Sequence, residues 1–195
     1  MGQVRESDIR AAIAKRSLLS SPDTPPLIVP ELALCQAEAR IDVAVVGVQR
    51  LVGWEIKART DTLNRLPRQQ RVYSKIFDRM WLAADHRHIQ QALALIPGWW
   101  GVMRVDERDG VCHLTQMRSS RLNRDIDLQA LVRLLWRDEV LAELDALGLG
   151  EGLARLPKRE LWLQLAEASP RHVSPTQLRR RVRFRLMARQ DWRVG

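Results

Sequence analysis

The sequence predicts a mixed α/β protein, an αβββαβ core followed by a C-terminal helical extension. Three observations point there. Residues 27–58 contain three runs rich in Ile, Val and Leu at strand length, separated by turn-forming residues. Segments of helical period stand before and after them, at 6–20 and 66–78. Beyond residue 118 the strand pattern ceases and Leu-rich stretches at helical spacing take over. The chain therefore divides into a domain at 1–118 and a helical, Arg-rich region at 119–195.

In residues 6–20, Ile9, Ile13 and Leu18 lie near one helical face, and Ser7 or Asp8 is available as N-cap. Ser21-Pro22-Asp23-Thr24-Pro25-Pro26 breaks the helix as a loop. The first strand, 27–35, carries Pro30 and so belongs at a sheet edge. The second, 40–48, leads through Gly47 and Gln49-Arg50 into the third, 51–58. There Leu51, Gly53, Glu55 and Lys57 share one face and Val52, Trp54, Ile56 and Ala58 the other, which predicts an apolar face packed inward and a polar face looking into a cleft. The helix at 66–78 takes Pro67 in its first turn, where the missing N–H costs little. Residues 80–84 suit a buried strand, 86–96 a helix stopped by Pro97-Gly98, and 99–105 another strand, with Asp109-Gly110 turning it into a last one at 111–117. Single helices are expected over 126–147, 158–168 and 176–188, the last with Ser174 as N-cap and Pro175 at its first position.

Composition narrows the function classes. Hydrophobic residues at 46% and charged residues at 28% describe a folded protein rather than a disordered chain. The net charge of +9 favours a polyanionic partner, and nucleic acid leads. A membrane is not expected: no run reaches the roughly 18 apolar residues a span needs, and no signal-peptide core is present. Cytoplasmic location and two free thiols, Cys35 and Cys112, follow as expectations.

Arg outnumbers Lys 28 to four, the lysines being Lys15, Lys57, Lys75 and Lys158. A Lys within a strand of such a chain needs a reason, and the neighbours of Lys57 supply one. Phosphodiester hydrolysis needs an activated water and neutralised charge in the transition state, both of which carboxylates holding Mg²⁺ or Mn²⁺ provide. Asp42 and Glu55, on adjacent antiparallel strands, can converge on one ion. Lys57, on the face of Glu55, would orient or help deprotonate the water, a role closed to Arg because its pKa stays too high. The competing interpretation is a solvated strand face with a cross-strand ion pair.

Asp42 followed by Glu55-Ile56-Lys57 in this strand order resembles the PD-(D/E)xK, or restriction-endonuclease-like, superfamily. The series Glu31, Arg40-Ile41-Asp42, Trp54-Glu55-Ile56-Lys57, Asp61-Thr62-Leu63, Arg65-Leu66, Gln69, Tyr73, Phe77-Asp78 and Trp99-Trp100-Gly101 is similar to the sce7726 family of bacterial and phage proteins, over about residues 28–104. The resemblance implies that Asp42 and Glu55 bind the metal, that Lys57 is the catalytic lysine, and that Glu31 is a further acid near the metal. It also implies that Gln69 and Tyr73, in the Q-x-x-x-Y pattern of RecB-like nucleases, border the active site. Ile41 stands where the superfamily often has Pro.

Arg59, Arg65, Arg68 and Arg71 follow the Glu-x-Lys strand and are placed to touch phosphates, and Arg179, Arg180, Arg183 and Arg185 of the tail to grip a backbone. Helices 158–168 and 176–188 imitate a helix-turn-helix, although their connection is longer than the usual turn. His86 and His88 lack a third metal ligand at suitable spacing, and Trp99-Trp100 suits a core or a base-stacking surface. The expected function is a metal-dependent nuclease acting on DNA in preference to RNA. The alternative is a non-catalytic nucleic-acid-binding module in a defence, repair or phage complex. A homodimer would suit a nuclease that cuts two strands.

Overall fold

The computed structural model describes residues 4–20, 23–189 and 192. Ser21 and Pro22 of the expected loop lie outside them. The order is α1 (Glu6–Leu19), β1 (Leu27–Leu34), β2 (Ala39–Val46), β3 (Leu51–Lys57), α2 (Leu66–Tyr73), β4 (Arg79–Asp85), α3 (His86–Leu95), β5 (Gly101–Arg108) and β6 (Val111–Arg118). Then come α4 (Leu128–Val132), α5 (Arg137–Asp145), a 3₁₀ turn (Leu153–Arg155), α6 (Lys158–Glu167) and α7 (Pro175–Ala188). The six strands form one mixed sheet in sequence order. β1, β2 and β3 are antiparallel, β3, β4 and β5 parallel, and β6 antiparallel to β5. The α/β class and the order of elements through β4 are those expected from the sequence, and Pro30 lies on the edge strand.

Two cores sandwich the sheet. On one face α1 sets Ile9 and Ile13 against Val43, Val45, Trp54, Ile56 and Met103. On the other, Leu51, Leu66, Tyr73, Phe77, Leu82 and Trp100 join Leu131, Leu135, Val140, Leu161, Leu178, Val182 and Leu186 in one cluster, so the helical region shares its core with the sheet. In β1 this larger core takes Leu27 and Val29, then Leu32 and Leu34; in β2 it takes Ile41, then Ala44 and Val46. The alternation slips by one residue in both strands at the same level, at Glu31, whose φ is +50°, and opposite it at Asp42. A paired slip preserves the register on either side and leaves Asp42 at an irregular position.

Several local expectations are corrected. Leu18 is 44% exposed and Ser17 is buried in its place, its hydroxyl donating to Ile13 O at 2.8 Å. The cap of α1 is Arg5, whose N–H donates to Asp8 at 2.9 Å, so Asp8 lies inside the first turn. α2 ends at Tyr73 rather than 78 because Asn123 Nδ2 takes the carbonyls of Ser74 and Phe77, at 2.6 and 3.1 Å. The helix expected over 126–147 is two, since Glu139 accepts from the N–H of Trp136 at 2.6 Å and starts α5 afresh. Among the described residues no helix is long and apolar enough to cross a membrane.

One buried carboxylate ties the helical region to the sheet. Asp78 accepts from the N–H of Leu51 at 2.7 Å and donates its own to Leu51 O at 2.8 Å. Its side chain also takes the Arg179 guanidinium, with Arg183 Nη1 at 3.7 Å. Removing it leaves Arg183, which is buried, without its counter-charge. Asp78→Ala is therefore expected to lose about 3–5 kcal/mol in urea unfolding, whereas Arg180→Ala, on the exposed side of the same helix, changes stability by no more than about 0.5 kcal/mol.

Candidate active site

Glu55 and Lys57 project from β3 on one face, two residues apart, as a strand requires. That face does not look into an open cleft. α2 packs across it, with Leu66, Val72 and Tyr73 buried, and leaves Glu55 1% and Lys57 4% exposed. The expected cleft is closed: Phe77 and Met80 lie against Gly53, and Gln69 and Tyr73 of α2 reach Lys57 and Glu55.

Within this enclosure the polar groups satisfy one another. Lys57 Nζ lies 2.6 Å from Glu55 Oε1 and 3.3 Å from Gln69 Oε1. The Tyr73 hydroxyl, with one proton to give, lies 2.9 Å from Glu55 Oε2 and 2.7 Å from Arg40 O. Gln69 and Tyr73 reach the pair together because residues four apart share a helix face. Tyr73 is held from behind by Trp100, stacked on it at 6.2 Å, and by Phe77 at its edge. Burial, with the Glu55 charge behind it, pushes the Tyr73 phenol far up, so it remains a donor.

Asp42 is half-buried and anchored by the N–H of Ile56, which donates to Oδ2 at 2.6 Å. Burial first, then the charge of Glu55, raises its pKa to about 7 against the pull of that bond. Burial also raises Glu55, with Lys57 opposing. Two carboxylates that resist ionisation thus lie beside the buried ammonium, Asp42 anchored to the β3 backbone and Glu55 to Lys57 and Tyr73.

The structure brings together Asp42, Glu55, Lys57, Gln69 and Tyr73. It does not bring Glu31, which is 40% exposed and turned to Arg10 and Arg40, at 2.8 Å each. The Arg10 hydrogen bond, before that of Arg40, holds its carboxyl below the usual range. Among the described residues no three His, Cys, Asp or Glu side chains gather to hold one ion.

Arg59, Arg65, Arg68 and Arg71 are exposed on the loop after β3 and on α2. The tail arginines fare differently. Arg179 and Arg183 face Asp78, and Arg183 also donates to Val48 O at 3.1 Å. Arg185, with Arg181, clamps the buried Glu143. Arg180 alone of the expected four is exposed, lying over the Phe184 ring. α7 is thus docked by its charges rather than presented as a recognition helix.

Two positioning groups were not among the residues the sequence singled out for the site. His88 Nε2 lies 3.0 Å from Ala58 O, and Asp61 accepts from the N–H of Ala58 at 2.7 Å. Together they brace the backbone one residue beyond Lys57. Asp61 in Asp-Thr-Leu was a visible signal; His88 had none, since its partner is a backbone carbonyl 30 residues away. His86 lies beside Asp85, so the two histidines do not form a pair.

A sequence profile described as Bacteriophage P4 protein cII matches residues 2–190. The chain belongs to that family. No curated protein matches it. Among solved structures it is similar to the SPO1766 protein of unknown function from Silicibacter pomeroyi, at 20% identity and a TM-score of 0.44, over 76% of this chain and 94% of that one.

The raised Asp42 carboxyl has a measurable consequence. The native group keeps its proton to about pH 7, whereas the unfolded one releases it near 3.8. Folding takes up a proton between those values, so without metal this group makes stability fall as pH rises through the window. Asp42→Asn, which still accepts from Ile56, is expected to melt higher than wild type at pH 8 in EDTA and to show a flatter Tm profile between pH 4 and 7.

Proposed function

We propose that this protein is a metal-dependent nuclease of the PD-(D/E)xK type, hydrolysing phosphodiester bonds in DNA. The observation that carries it is the enclosed set of Asp42, Glu55 and Lys57, with Gln69 and Tyr73 locked to it from α2. The order αβββαβ, with β3 and β4 parallel, supports the superfamily resemblance, and the spaced motifs support a likeness to sce7726 proteins.

Asp42 and Glu55 are the residues that hold Mg²⁺ or Mn²⁺ in this reading, with waters supplying the other positions; Glu31 is left out because Arg10 and Arg40 occupy it. A bound divalent cation supplies a water of lowered pKa and charge neutralisation at the phosphate. Lys57 leaves the shielded ion pair with Glu55 to orient the attacking water. Gln69 holds the ammonium in place, and Tyr73 fixes the rotamer of Glu55. Arg59 and Arg65, exposed beside the end of β3, take phosphates flanking the scissile bond.

Purified protein with Mg²⁺ or Mn²⁺ is expected to cut DNA. Lys57→Ala should abolish cleavage at retained helical circular dichroism, and Tyr73→Phe should lower it by about ten- to a hundredfold, one hydrogen bond to a charged group being worth about 1.5–3 kcal/mol. Equal cleavage by wild type and Lys57→Ala overturns the assignment. Tight DNA binding without turnover in either metal would instead mark the protein as a non-catalytic binding module.

A further inference from the structure

A groove of about 560 Å³ lies away from the acidic pair, between α2, the turn that continues it and the loop before β5. Its lining includes Arg68 and Arg71 of α2, Lys75 of the turn after it, Trp99 of the loop before β5, and the acids Glu38 and Asp125. At 3.6 residues per turn, Arg68 and Arg71 fall about 100° and 160° around α2 from Gln69. The helix therefore turns one side to the buried charges and a different, cationic side to this groove.

The three cations are exposed, and among the described residues none of them forms an ion pair. This separates them from Arg179, Arg181, Arg183, Arg185 and Arg189, which all bind acids of their own chain. Trp99 is half-buried and set edge-on to the buried Trp100, at 6.1 Å and 66°. A tryptophan that lines a basic groove and is held by a neighbouring ring can stack on a flat base.

We propose that this groove binds a segment of single-stranded nucleic acid, one base stacked on Trp99 and the adjoining phosphates on Arg68, Arg71 and Lys75. Bases paired within a duplex are unable to reach Trp99, so stacking there selects a single strand. Glu38 and Asp125 offset two of the three positive charges, so stacking contributes a large share of the affinity and a simple polyanion is held weakly. The site needs only a strand as ligand and does not depend on cleavage at Asp42, Glu55 and Lys57.

The test is fluorescence anisotropy of a labelled oligothymidylate in EDTA, where no metal-dependent turnover occurs, against a duplex of equal length and polyglutamate. The single strand is expected to bind at least tenfold tighter than either. Trp99→Ala should weaken it by about tenfold, and Trp99→Phe should restore most of that. Arg71→Glu with Lys75→Glu, both on exposed side chains and so independent of whether Trp99→Ala folds, should weaken binding and lower the salt slope by about 1.4, or about 0.7 for each phosphate no longer neutralised. Arg155→Glu, at an exposed residue of the 3₁₀ turn, should change nothing. Unchanged affinity in the Arg71/Lys75 variant, equal binding of duplex or polyglutamate, or no binding overturns the groove. A protein that binds in this way but never cuts DNA with Mg²⁺ overturns the nuclease alone, and one that cuts while ignoring Trp99→Ala and the charge reversals overturns the groove alone.

Discussion

A carboxylate and an ammonium enclosed beneath a helix set the terms for the rest of the molecule. Removing Glu55 and Lys57 from water costs several kcal/mol per ion, which only close geometry and further hydrogen bonds offset. The 2.6 Å contact between them provides the first, and Gln69 and Tyr73 the second. Tyr73 can do this because Trp100 and Phe77 fix its ring and Arg40 O takes a share of its hydroxyl. The choice of Lys over Arg has a physical basis here. A compact ammonium brings three donors, two of which meet Glu55 and Gln69, whereas a guanidinium would bring five into a space with still fewer acceptors for them.

The second constraint is the use of Arg as internal adhesive. Arg179 and Arg183 are four residues apart on α7 and face Asp78; Arg181 and Arg185 are four apart and face Glu143. Each carboxylate is buried and receives two guanidiniums, so the helix is held on two sides and its apolar residues Leu178, Val182 and Leu186 enter the common core. Arg189 repeats the pattern with Glu139, between the rings of Trp136 and Trp192. Much of the charge in the tail is thereby neutralised within the chain, while the cations of α2 and the loop before it remain exposed.

Much of this side-chain cluster was legible in the chain because its signals are local. Glu55 and Lys57 share a strand face by their spacing of two, Gln69 and Tyr73 share a helix face by their spacing of four, and the scarcity of lysine singled out Lys57. Asp42 was legible through its place in the preceding strand. Glu31 was not, because its surroundings are set by Arg10, 21 residues before it, and by Arg40. The tail arginines were misplaced for the same reason, since the partner of Arg179 lies 101 residues upstream.

Periodicity, caps and turn residues are short-range properties, so the amino-acid order alone specified the α/β class, the succession of elements through β6, the Ser174 cap of α7 and the polar residues facing one another across β2, β3 and α2. Burial and charge pairing depend on which distant surfaces meet. Tertiary packing alone therefore decided that the cleft over β3 is closed, that Ser17 rather than Leu18 turns inward, that 126–147 breaks in two, and which arginines pair within the chain and which stay exposed.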